Sequence, residues 1–132
     1  MSKSQITRAD VMAMDDFERL RARKRKEIVA LKRPRRIAIG PDATCYFESY
    51  DTMWWQIHEM LYIEKGGEEQ IADELAAYNP LIPNGRELVA TVMFEINDEE
   101  RRHAFLAKLG GIEETMFLRF GEIEVLGKKY GT

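Results

Sequence analysis

The sequence contains almost no cysteine: Cys45 is alone among 132 residues. That excludes an internal disulfide framework and any all-cysteine metal site, and it fits a reducing compartment. Histidine is nearly as scarce, with His58 and His103 the only two. No glycine pattern of the phosphate-loop or dinucleotide-binding kind occurs, and no Pro- or Gly-rich linker interrupts the chain. No apolar run approaches the roughly 18 residues a spanning helix needs. The N-terminal stretch MSKSQITRADVMAMDD lacks the apolar core of a signal peptide. Together these absences predict a cytoplasmic protein with no membrane association.

What is present is ordinary for a globular chain, with 45% hydrophobic and 33% charged residues. The length predicts one domain, with an N-terminal helical segment over 1–35 and a sheet with further helices over 36–132. The charge is unevenly laid out. Arg19 to Arg36 holds ten Lys/Arg against one acid, Glu27, a local charge of +9 in a protein of net charge −3. The remaining residues therefore carry −12.

Thr7, with Asp10 three residues on, predicts a capped first turn. Phe17, Leu20, Ile28 and Leu31 give the next helix its apolar contacts, beginning at Asp15 or Asp16 and ending before Pro34. Residues 36–39, Arg-Ile-Ala-Ile, read as a short strand, Gly40-Pro41-Asp42 as a turn, and 44–47 as the returning strand. Asp51 or Thr52 is expected to cap a helix over 53–65, closed by Gly66-Gly67. Glu68 and Glu69 open another helix, which Asn79-Pro80 stops. Residues 87–96 are dense in β-formers and predict the central strand. Asn97 or Asp98 caps a helix ended by Gly110-Gly111, and two short strands follow around Gly121.

Few residues invite chemistry. Glu100 and His103 form an E-x-x-H pair, but a di-iron site needs two such pairs and two more glutamates, so a solvated helix face is expected. Cys45 lies in TCYFES, with no helix N-terminus directly after it to activate a thiolate, and reads as a buried, inert cysteine. No catalytic residue, metal site or cofactor is expected. In the 53–65 helix, Tyr50, Trp54, Ile57 and Leu61 follow i, i+4, i+7, i+11 spacing and predict the core stripe. Trp55 and Tyr62 fall with Glu59 on a neighbouring face, where a groove or interface is expected, since Trp and Tyr concentrate at binding hot spots. That face and the basic residues Arg21, Arg23, Lys24, Arg25 and Lys26 make the candidate interaction surface.

The string from Lys32 to Gly111 also resembles a known family. The residues carrying this are Arg36-Ile-Ala-Ile-Gly-Pro-Asp-Ala-Thr, Tyr50-Asp-Thr-Met-Trp-Trp-Gln-Ile, Ile63-Glu-Lys-Gly-Gly-Glu-Glu-Gln-Ile-Ala-Asp-Glu-Leu, Tyr78-Asn-Pro-Leu-Ile-Pro and Leu109-Gly-Gly-Ile-Glu-Glu-Thr. They are similar to the bacterial domain-of-unknown-function family numbered 3501. The resemblance implies a cytoplasmic protein with a loose link to rubrerythrin-like and other redox or oxidative-stress proteins. It carries no established activity or site residue. It also implies that family members run some tens of residues further, so that this chain either lacks the family's C-terminal part or is a short variant.

The expected architecture is α+β, a small, largely antiparallel sheet packed against four or five helices. The expected function is a non-enzymatic binding or accessory protein. Its partner would be a second copy, met through acids such as Glu64, Glu68, Glu69, Asp73 and Glu74, or another acidic protein. The alternatives are a nucleic-acid-binding protein using residues 19–36 and a metal-dependent enzyme around Glu100 and His103.

Overall fold

In the computed structural model, which describes residues 4–108, 116–120 and 122–127, the first ordered feature is a 3₁₀ turn at Arg8–Asp10. The Thr7 backbone N–H and hydroxyl both donate to Asp10 Oδ2, at 2.8 and 2.9 Å, as the sequence predicts. Helix α1, Met14–Lys32, follows, with Asp15 and Asp16 in its first turn, where carboxylates complement the helix dipole. Pro34 falls in a 3₁₀ turn, Arg33–Arg35, that carries the chain off the helix.

Strand β1 is Arg36–Ile39 and β2 is Ala43–Phe47, an antiparallel hairpin turned by Gly40 at φ 64°. Helix α2, Tyr50–Glu64, starts three residues earlier than expected. Its cap is Ser49, whose hydroxyl accepts from Thr52 N–H at 3.3 Å while Thr52 Oγ1 accepts from Ser49 N–H at 2.9 Å. Lys65, in the left-handed region at φ 55°, closes it, and α3, Gly67–Tyr78, begins almost at once.

Strand β3, Ala90–Phe94, pairs antiparallel with β2, so the sheet order is β1-β2-β3. The run 87–96, expected as the central strand, is therefore an edge. The central place belongs to β2, which has a partner on each side. Helix α4, Glu99–Ala107, is capped by Asp98, whose Oδ1 accepts from Arg101 N–H at 2.9 Å. A second antiparallel hairpin joins β4, Phe117–Phe120, to β5, Ile123–Leu126. The predicted turn at Gly121 and the stop at Gly110-Gly111 lie outside the described residues.

The architecture is α+β, with four helices and two small antiparallel sheets among the described residues. Two compact units divide the chain, Met1–Phe94 and Glu95–Thr132, so the N-terminal helical segment shares a unit with the first sheet. Within the first unit α2 is buried on two sides. One side, with Met53, Ile57 and Leu61, packs against Ile6, Val11, Ile71 and Ile82. The other, through Trp55, meets Phe17 and Ile28 of α1. Among the described residues no helix is long and apolar enough to cross a membrane.

Candidate functional site

The seam between α1 and α2 gathers most of the residues singled out in the sequence, but not as a free surface. Trp55 was expected on an exposed groove and is 7% exposed, with its ring centroid 5.5 Å from that of Phe17. The i, i+4, i+7 stripe of Tyr50, Trp54, Ile57 and Leu61 correctly marks one buried side of α2. It could not reveal that α1 covers a second side about 100° away, where Trp55 points. Trp54 is the half-buried indole of the two and packs at the edge of both clusters.

Glu59 lies in the same seam and accepts from Arg21 Nε at 2.7 Å and Nη2 at 3.1 Å, and from Arg25 Nη2 at 3.3 Å. Its side chain is only 12% exposed, so this forked pair binds α1 to α2 more firmly than a surface pair would. The Arg21 guanidinium also lies 4.7 Å over the Tyr62 ring, and the Tyr62 hydroxyl donates to Glu18 Oε1 at 3.0 Å. Lys24 reaches Glu27 at 3.3 Å and stands 5.3 Å over the Trp54 ring. Of the eight candidate residues, Trp55, Tyr62, Glu59, Arg21 and Arg25 hold the two helices together. Of the eight, Arg23 and Lys26 alone are exposed without an ion pair among the described residues.

Those two belong to a stripe that helix geometry makes plain. Positions 19, 23, 26, 30 and 33 recur at helical spacing on the side of α1 directly opposite Phe17, Ile28 and Leu31. Arg19 is held by Asp16, whereas Arg23, Lys26 and Arg33 have no acid partner among the described residues. Val29, 52% exposed, borders the stripe beside Lys26 and Arg33. The acids proposed to receive this stripe from a second copy are partly engaged at home: Glu68 pairs with Arg8, and Gln70 Nε2 donates to Glu64 and Glu74.

Cys45 is buried, and desolvation followed by the nearby Glu48 charge pushes its thiol up, away from thiolate reactivity. Glu100 and His103 are both exposed on α4, and no group of three His, Cys, Asp or Glu able to hold a metal ion occurs among the described residues.

Sequence inspection missed Glu48. It is 8% exposed at the end of β2, its N–H donates to Val89 O at 2.7 Å, and its Oε2 accepts from Thr91 at 3.3 Å. Burial raises its carboxyl pKa, and the Lys32 and Arg35 charges and the Thr91 and Thr52 hydroxyls oppose the rise. A raised folded pKa means that the ionised form is the disfavoured one, so the penalty is present above the folded pKa and disappears towards the unfolded value. Glu48→Gln should therefore raise the melting temperature at neutral pH, with the gain fading near pH 4. An unchanged or lowered neutral-pH melt would show that the basic neighbours outweigh burial.

No curated protein matches the chain. A solved structure does: a novel protein of unknown function from Burkholderia pseudomallei K96243, 39% identical, with a TM-score of 0.85. The match covers 92% of this chain and 70% of that one. Residues 5–130 match the model of a family described as "Protein of unknown function (DUF3501)". With nearly its whole length matched, the chain belongs to the DUF3501 family.

Proposed function

We propose that the protein is a binding or accessory protein that docks an acidic partner protein on the outer face of α1. The observation behind this is the stripe of Arg23, Lys26 and Arg33, without an acid partner among the described residues and about 15 Å long at helical rise. Exposed Val29, at the border of the stripe beside Lys26 and Arg33, adds an apolar contact next to the charged side chains. A strand of nucleic acid would be better served by aromatic rings interleaved with the bases, and the stripe has none. The homo-oligomer anchored by Trp55 loses support, because that indole is already spent inside the seam. The redox setting implied by the family resemblance makes rubrerythrin-like proteins the first partners to try.

The test compares wild type with the double variant Arg23→Glu, Lys26→Glu as bait in extract of the native host. Wild type should retain an acidic protein that the variant loses, and nuclease treatment should not alter the result. Both side chains are exposed and have no acid partner among the described residues, so the variant should stay within about 0.5 kcal/mol of wild-type stability. Retention that disappears with nuclease would transfer the stripe to nucleic acid. Equal retention by both baits would remove it from function.

A further inference from the structure

Every residue of β1 is exposed, Ile37 at 51% and Ile39 at 40%. Among the described residues the strand pairs on one side only, with β2. Directly opposed residues of antiparallel strands share a face, so the register sets Ile37 and Ile39 on the side that carries Cys45, Phe47, Val92 and Phe94. An apolar face thus runs out to an edge whose backbone groups have no strand partner among the described residues.

We propose that two copies of this chain join edge to edge through β1, antiparallel about Ala38, and turn two three-stranded sheets into one of six strands. The sequence of the strand is self-complementary in that register alone. With Ala38 opposite Ala38 of the second copy, each Ile37 faces the other copy's Ile39 on the continuous apolar side. A slip of one residue throws these side chains to opposite faces. A slip of two sets Ile39 against Arg35 in one direction and Ile37 against Pro41 in the other, so only the Ala38 register gives both isoleucines an isoleucine partner. In the Ala38 register Arg36 instead lies beside the other copy's Gly40, within a side chain's reach of Asp42, so the charges attract. Four residues from each copy bury little surface, so the dimer is a weak one that grows with concentration.

The inference does not rest on the α1 reading, and its test is separate. Opposed residues of antiparallel strands have Cα atoms about 4.5–5.5 Å apart, inside the span of a disulfide. Ala38→Cys should therefore give a covalent dimer on mild oxidation, while the native Cys45 is buried and silent. Adding Ile37→Lys and Ile39→Lys should slow the crosslinking at least tenfold. Circular dichroism of both proteins would show that they remain folded. Light scattering of wild type should report a mass that rises from monomer towards dimer with concentration. Crosslinking no faster than in an Arg23→Cys control, or a monomeric mass throughout, would overturn the proposal. So would crosslinking that the lysines leave unchanged.

Discussion

Trp55→Ala is expected to cost about 3–5 kcal/mol, the usual range for a buried aromatic, and to be the more damaging of the two indole truncations. The ring fills the seam between Phe17 and Ile28, and little of it could be replaced by the collapse of neighbours already held by the Arg21–Glu59–Arg25 fork. Trp54→Ala removes a half-exposed ring and should cost less, about 2–3 kcal/mol. It also takes away the indole N–H that donates to Asp10 O at 3.0 Å. Urea melts of both variants decide the order, read from the midpoints at a common slope. A larger loss for Trp54→Ala would mean that the contact with the N-terminal segment contributes more to the unit than the α1–α2 seam does.

This order reverses the one that spacing suggests, and the reason is physical. An i, i+4, i+7 pattern finds one buried side of a helix when only one neighbour packs on it. Helix α2 has neighbours on two sides, and the second contact is made by residues that look polar or isolated in the sequence: Glu59, Tyr62 and Trp55. The basic run misled in a related way. Counted along the chain, it is one block of +9. Wound into a helix, it divides into Arg21 and Arg25, which meet Glu59, and Arg23, Lys26 and Arg33, which meet solvent. Local signals did better. The strand at residues 36–39, the turn at Gly40, the Thr7–Asp10 turn and the Asp98 cap are all set by neighbours a few residues apart. The place of β3 at an edge depends on pairing across more than forty residues, which no local window contains. His58 and Glu48 stayed hidden for the same reason, since burial is a property of the assembled unit.

Acid should loosen the first unit through His58. The ring is fully buried, stacked 3.8 Å from Trp54 and 5.2 Å from Phe17 by centroids. Nδ1 carries the proton and donates to Trp54 O at 2.7 Å, and unprotonated Nε2 accepts from Met12 N–H at 3.0 Å. That bond, with the one from Trp54 to Asp10, pins the segment ahead of α1 onto α2. Protonating Nε2 would turn the acceptor into a donor facing another donor, and burial already lowers the pKa from the ordinary histidine value. The unfolded chain takes up its proton near pH 6.5, before the folded one does. This contribution to stability is thus complete above about pH 6.5, and it falls with pH down to the folded value by at most about 1.4 kcal/mol per unit. Glu48 acts with the opposite sign, so it cannot mimic the loss. Melts at about pH 7.5 and about pH 5.5 should differ for wild type and nearly coincide for His58→Gln, whose amide can still accept from Met12 but does not titrate. An equally steep acid loss in His58→Gln would place the sensitive group elsewhere.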